Sequence, residues 1–158
     1  MKENRAPFQV IVAPFLRDAH AGVRYAVLRR STDENWQFIA GGGHVGEDEL
    51  QAAKREANEE AGIPMDAPYF ALLSMATIPV VNVAGFLWGS QTLVIPEYCF
   101  GVEVFNSALR LSSEHSEFAW LAFDVAARRL KWDSNKNALW ELNHRICNNL
   151  LTVPSVVI

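Results

Sequence analysis

The 158-residue chain is 50% hydrophobic and 20% charged, with 14 Lys and Arg against 18 Asp and Glu and a formal net charge of −4. That composition excludes disorder, collagen-like repeats and a disulfide-stapled miniature, and the length suits a single domain over residues 1–158 with its own core. An acidic chain is a poor partner for nucleic acid, which is bound by exchanging counterions for Lys and Arg, and no run approaches the ~18 apolar residues of a membrane span.

Residues 7–16 and 23–30 are apolar and β-branched, with turn residues between them, and predict a hairpin. Gln9 and Pro14 interrupt the first run and no small-x-small cleavage site follows, so it reads as a strand and not as a signal peptide. Residues 36–39 predict a short strand. Residues 40–46, AGGGHVG, hold four glycines in seven positions and predict an irregular loop. Residues 47–61 predict a helix with acids in its first turn, stopped by Gly62 and Pro64.

Further strands are expected over 69–78, 97–105 and 117–123. Asp124 is expected to cap a short helix ending near Leu130, and Asp133 or Ser134 a longer one running to about Leu150. In that last helix Leu139, Leu142, Ile146 and Leu150 form one apolar face. Residues 79–96 are apolar and glycine-punctuated without clean alternation, and read as a hairpin, a lid over a substrate or a subunit contact in a homodimer. Cys99 and Cys147 have no metal-ligand spacing; two thiols in a domain of this size fit a reducing cytoplasm, and a disulfide between them stays open. The order of elements predicts an α+β sandwich with a mixed sheet.

The chemistry concentrates in 41–63, GGGHVGEDELQAAKREANEEAGI. On a helix Glu56 lies three and four residues from Glu59 and Glu60, so three carboxylates converge near one edge. Arg55, four residues before Glu59, is one monovalent partner for three acids; a hard divalent ion with oxygen ligands, such as Mg²⁺, would balance them. Ala52, Ala53 and Ala57 leave the opposite edge small enough to pack on a sheet. The glycines before the helix permit close approach to a ligand.

The spacing resembles the signature of the Nudix hydrolase family, G-x5-E-x7-R-E-U-x-E-E-x-G-U with U apolar, filled in register by Gly41, Glu47, Arg55, Glu56, Ala57, Glu59, Glu60, Gly62 and Ile63. The departures are a small Ala57, Ile39-Ala40-Gly41 in place of Pro-Gly-Gly, and His44 where many members have Glu. The resemblance implies an α/β/α sandwich and Mg²⁺- or Mn²⁺-dependent hydrolysis of a nucleoside diphosphate linked to another group. By position it implies Glu56, Glu59 and Glu60 as metal ligands, the Ala40 carbonyl as a further ligand, and Glu47 and Arg55 as residues that orient loop and helix. LRRSTDENWQF, SEHSEFAWLAFD and KWDSNKNALWEL extend the resemblance toward the bacterial dihydroneopterin triphosphate pyrophosphatases, also known as dATP pyrophosphohydrolases. In that group an acid outside the helix joins the metal site; here the matching residue is Glu114. Glu56 and Glu114 are both contenders for the general base.

Of the five tryptophans, most are expected in the core. Trp36 and Trp132 border polar loops, and Trp132, Asn135 and Lys136 supply a stacking face, an amide and a cation suited to a flat heterocycle and its phosphates. Alternation sends Arg29 and Arg30 to opposite faces, so one of them, taken as Arg29, reaches phosphate. The expected partner is a small phosphorylated molecule, cut to monophosphate and pyrophosphate. The competing readings are another Nudix substrate, such as a (deoxy)nucleoside triphosphate or nucleotide sugar, and a non-catalytic sensor with the same fold.

Overall fold

Strand β1 (Arg5–Asp18) carries apolar residues on both faces because both are covered. Val10 and Val12 join a cluster with helix α1 (Glu49–Ala61), while Ile11, Ala13 and Phe15 join one with α2 (Phe123–Arg129) and α3 (Asp133–Cys147). The computed structural model describes residues 4–151. Around β1, β2 (Gly22–Arg30) pairs antiparallel with its C-terminal end, β4 (Ile39–His44) antiparallel with its N-terminal half, and β6 (Val94–Glu103) parallel along the other edge. β3 (Trp36–Gln37) and β7 (His115–Leu121) pair with β2, and β5 (Tyr69–Pro79) pairs with β6. The result is a mixed seven-stranded sheet between helical layers, the α+β sandwich expected.

The sheet opens where its chemistry sits. β1 and β2 pair only from Phe15–Tyr25 to the hairpin turn. Beyond it, β3 follows β2 and, one residue later, β4 follows β1, so Phe38 bridges the opening. The Phe38 amide donates to Asn135 Oδ1 (2.8 Å) and the Lys131 amide to the Trp36 carbonyl (3.0 Å), tying the start of α3 under this gap.

Residues 40–46 correct the expectation of an irregular loop, because Ala40 through His44 lie in β4. Each interior glycine in a strand costs roughly 0.5–1 kcal/mol. Here the absent side chains are replaced by others. A Cβ at Gly41 would meet the Glu56 carboxyl, at Gly42 the Arg5 guanidinium, and at Gly43 the Phe8 ring. The backbone keeps its ladder with β1, and the glycines let three side chains lie against it.

Helix ends depart from expectation too. Asp48 is the N-cap of α1, accepting from Gln51 N–H (2.7 Å) while Gln51 Oε1 accepts from Asp48 N–H (2.8 Å), a reciprocal capping box. Gly62 closes α1 in the left-handed region at φ 69°. Asp124, Asp133 and Ser134 do not cap: the N-caps are Ala122 and Trp132, without side-chain bonds, and Asp124 and Asp133 sit in first turns, where a carboxylate suits the dipole. α3 ends at Cys147, short of Leu150.

None of the five tryptophans is in the buried core; Trp132 is 46% and Trp140 60% exposed. Both cysteines are free. Residues 79–96 close the β5–β6 hairpin through a short 3-10 turn (Val80–Asn82), and Trp88 anchors the loop by donating its indole N–H to the Arg5 carbonyl (2.9 Å). Among the described residues no helix is long and apolar enough to cross a membrane.

Gly101 tests the packing between sheet and α3. A Cβ there would come within 2.7 Å of Leu142 Cδ1. Gly101→Ala should lower unfolding stability in denaturant by about 1–3 kcal/mol through overpacking; an unchanged midpoint would contradict the close contact of β6 with α3.

Candidate metal and catalytic site

Ala52, Ala53, Ala57 and Ala61 bring α1 flat against the sheet. The neighbouring edge of the helix then carries Glu56 and Glu60 inward, both buried, toward the glycine strand. Glu60 Oε2 accepts the Ala40 amide N–H at 3.4 Å, and the Glu56 carboxyl lies over Gly41. The loop before β7 brings in the fourth acid: Ser112 N–H donates to the Glu60 carbonyl (3.2 Å), Ser31 N–H to the Glu114 carbonyl (2.9 Å), and the Glu114 side chain hydrogen-bonds the Glu60 carboxyl.

Arg55 binds helix to loop. Its guanidinium donates to Glu47 at 2.8 and 3.0 Å, to Glu56 at 2.8 Å and to the Gly42 carbonyl at 2.8 Å, and reaches Glu59 at 3.4 Å. Glu47 also accepts the His44 amide (2.7 Å), so one carboxylate holds both loop and guanidinium. Burial works against the charged form of Glu47, but Arg55 and the His44 amide hold its carboxyl below the usual carboxylate range. The hydrogen bond to Glu47 leads in holding Arg55 firmly protonated.

The inner acids behave oppositely. Burial, opposed by Arg55, raises Glu56 above the ordinary carboxylate range. Glu60 is pushed up to about 10, first by burial, then by its hydrogen bond to Glu114 and the charges of Glu56 and Glu114. Arg55 makes ion pairs with Glu47, Glu56 and Glu59, and Glu60 and Glu114 make none among the described residues. Glu60 is thereby held toward its protonated form, and a bound cation would favour its ionisation.

The donor set suits a hard divalent ion: carboxylate oxygens from Glu56, Glu60 and Glu114, with Glu59 nearby and backbone carbonyls at the strand. Among the described residues no three acidic, histidine or cysteine side chains stand close enough together to hold a metal ion without moving. Glu56 is drawn to Arg55, Glu60 to the Ala40 amide, and the Glu59 side chain is 58% exposed. Only Glu60 and Glu114 face each other, across their hydrogen bond, so the site is an open set of donors.

The residues expected to hold substrate gather around β3 and the start of α3, where Arg29 stands in register with Trp36 and the Trp132 carbonyl accepts from the amides of Asn135 and Lys136. Arg29 lies on the α3 side and pairs with Glu34 (3.0 Å) and Glu117 (3.4 Å), away from the acids. Arg30, on the other face, stands beside His115 and pairs with Asp33 at 3.3 Å. Trp36 is half-buried beneath the Arg129 guanidinium, 5.0 Å from its ring centre. Trp132 donates its indole N–H to Gln37 Oε1 at 3.3 Å. Asn135 is buried, its amide oxygen taken by Phe38, so the structure gives it a scaffold bond at the opening. Lys136 is half-buried at the start of α3, its amide bonded to the Trp132 carbonyl.

Three residues near the site carried no distinctive sequence signal. Arg5 lies over Gly42 with its Nε buried and unpartnered. Gln37 supports Trp132. His115 is buried with both ring nitrogens unpartnered, and burial lowers its pKa against the opposing charge of Glu114.

The NUDIX domain profile matches residues 7–141. Bis(5'-nucleosyl)-tetraphosphatase [asymmetrical] of Sus scrofa is 33% identical over 108 residues, covering 67% of this chain and 69% of that protein. A Listeria monocytogenes protein described as a NUDIX hydrolase superposes with a TM-score of 0.83 at 40% identity, over 91% of this chain and 97% of its own. The E. coli dihydroneopterin triphosphate pyrophosphohydrolase shares the fold at TM-score 0.72 with 22% identity, over 89% of this chain and 98% of its own.

Glu60 makes stability a reporter of the acid cluster. Burial and the neighbouring acids push it up to about 10 from the ordinary value of 4.5. Its contribution to stability is therefore fully present below the lower value and lost as pH rises toward the upper one. With a chelator present, calorimetric Tm should fall between about pH 5 and 9, and Glu60→Gln should flatten that fall and melt higher at the alkaline end. A wild-type profile that Glu60→Gln leaves unaltered would contradict the buried, protonated Glu60.

Proposed function

This chain belongs to the NUDIX domain family, matched over residues 7–141, and we propose that it hydrolyses a nucleoside-triphosphate-like substrate to monophosphate and pyrophosphate with Mg²⁺ or Mn²⁺, dihydroneopterin triphosphate being the foremost candidate. It is a hydrolase acting on phosphoric anhydrides. The observation that carries the metal dependence is the convergence of Glu56, Glu60 and Glu114, of which Arg55 neutralises only the first.

A triphosphate is strongly anionic, and repulsion from ionised carboxylates at such short range would exclude it. Glu56, Glu59, Glu60 and Glu114, with the Ala40 carbonyl, would hold a divalent cation, which would neutralise the phosphates and polarise the bond to be cut. The chain's own residues do the rest. Arg55 fixes Glu56 and, through Glu47 and Gly42, the strand against which phosphate would lie. Glu56 and Glu114 are the acids placed to take the proton of the attacking water; Arg55 already occupies Glu56, which favours Glu114 as the base. Trp132, exposed at the start of α3, offers the ring a face.

A second reading, a dinucleoside tetraphosphate cleaved asymmetrically, is supported by the Sus scrofa relative. The two are separated by their products. With dihydroneopterin triphosphate the chain should release pyrophosphate in the presence of Mg²⁺ and none with chelator. Preferential turnover of diadenosine tetraphosphate, giving two unequal nucleotides, would move the assignment to the second reading. In either case Glu60→Gln should depress turnover by orders of magnitude, and full activity of that variant at saturating Mg²⁺ would remove the metal assignment.

The base assignment has its own control. Glu117 lies on β7, beyond Glu114 in the chain, and pairs with Arg29 at 3.4 Å. Glu114→Gln should lower kcat roughly 10²- to 10⁴-fold, the usual weight of a general base, with little change in Tm, while Glu117→Gln stays near wild type. The reverse pattern would exchange the two acids.

A further inference from the structure

Glu97 is a buried acid, 6% exposed, in the middle of a sheet and outside the carboxylate cluster. On the α3-facing side of the sheet it lies in register with Gln9 of β1, and Gln9 with Gly42 of β4. One step further along the same face, Cys99 and Ile11 enter the apolar core under α3. Across Gly42 lies the Arg5 guanidinium, which donates to the Gln9 side-chain oxygen. Arg5, Gln9 and Glu97 thus form a polar row across three strands. At one end it meets Ser134 near the start of α3, whose hydroxyl hydrogen-bonds Glu97. At the other it reaches Gly42, next in the chain to the Gly41 that Glu56 covers.

The hydrogen-bonding capacity of this row is asymmetric. Arg has only donors, so the side-chain oxygen of Gln9 must face Arg5, leaving its amide NH₂ as the group free to donate. Among the described residues Glu97 has a single hydroxyl donor for two carboxylate oxygens, and burial raises its pKa, as expected of an acid short of donors. A purely structural role would be met more stably by an apolar residue, since an under-satisfied buried carboxyl costs free energy. What remains is one donor beside a pair of acceptors.

We infer that Glu97 and Gln9 read the ring of the substrate, selecting the 2-amino-4-oxopyrimidine edge that pterins and guanine share. That edge presents a carbonyl, a ring N–H and an exocyclic NH₂ in a row. The Gln9 amide donates to the carbonyl, and the Glu97 carboxylate accepts from the two nitrogens. Adenine presents an NH₂ and an unprotonated ring nitrogen there, which leaves one carboxylate oxygen against a lone pair. Uracil and thymine present one N–H between two carbonyls, and the second carbonyl meets the carboxylate. The inference rests on the proposed hydrolytic function for placing a ring-bearing polyphosphate at this site, and deepens it by naming the ring class.

Binding of product-like ligands tests it without turnover. Calorimetric titration of the protein with GMP, neopterin monophosphate and AMP should give tighter Kd values for the first two, by about 10- to 100-fold over AMP, the discrimination of a good bidentate contact to a base edge. Whichever of GMP and neopterin monophosphate binds more tightly names the source of the edge. Glu97→Gln retains an acceptor for Ser134 but puts an NH₂ where the ring donates, and should reduce the preference over AMP at least tenfold. Gln9→Glu keeps the partner of Arg5 and removes the donor, so it should act in the same direction even if the first variant fails to fold. Equal affinity of wild type for GMP and AMP, or a preference unchanged in a folded variant, would overturn the inference. A preserved preference in a chain that hydrolyses none of the triphosphates would instead remove the hydrolytic reading and leave ring selection standing.

Discussion

The arrangement depends on where one guanidinium is held. Arg55 touches Glu47, Glu56, Glu59 and the carbonyl of Gly42, and so joins two turns of α1 to the strand and loop that precede it. A planar fork with several donors can do this; a lysine ammonium, a point charge on a flexible stem, would satisfy one or two of these acceptors and leave the rest to repel. Because the fork is committed to Glu47 and Glu56, it is withdrawn from Glu60 and Glu114. Glu60 stays buried with the exposed Glu114 against it, and neither makes an ion pair among the described residues. The same residue that orders the loop therefore creates the deficit of positive charge on which the chemistry rests.

The sheet provides the second half of this constraint. β1 and β2 separate, and the chain crosses between them at Phe38, leaving free strand edges to be met by side chains. From the α1 side Glu60 reaches the Ala40 amide; from the α3 side Asn135 reaches Phe38 and Lys131 reaches Trp36. Unpaired backbone groups inside a sheet would otherwise be costly. Here they align the acids on one face and the start of α3 on the other, with glycines between that let side chains approach from both.

Much of this was legible in the sequence where the signal was local. The spacing of Arg55, Glu56, Glu59 and Glu60 on one helix, and the alanine edge opposite, needed only the helical period. The mixed sandwich followed from the order of apolar runs. What was not legible depended on partners far away in sequence. Four glycines in seven residues read as a loop, because nothing local announces that Arg5, Phe8 and Glu56 will stand where their side chains are missing. The caps of α2 and α3 fell on Ala122 and Trp132, where tertiary placement overrode the preference of Asp and Ser for that position. Arg29 was taken over Arg30, although alternation alone cannot say which face of a strand a helix will cover. Glu97 read only as the first residue of the strand expected over 97–105, and the register with Gln9 and Gly42 set it in a row.

The central claim is that Glu56, Glu60 and Glu114 form an incomplete oxygen cage, which a divalent cation completes. Crystals grown with Mn²⁺, examined by anomalous diffraction, test that claim most directly. The account predicts manganese between α1 and the glycine strand, bonded to carboxylate oxygens of Glu56 and Glu60, with Glu60 turned away from the Ala40 amide. Manganese bound elsewhere, or Glu60 still hydrogen-bonded to Ala40 and Glu114 at saturating Mn²⁺, would contradict it.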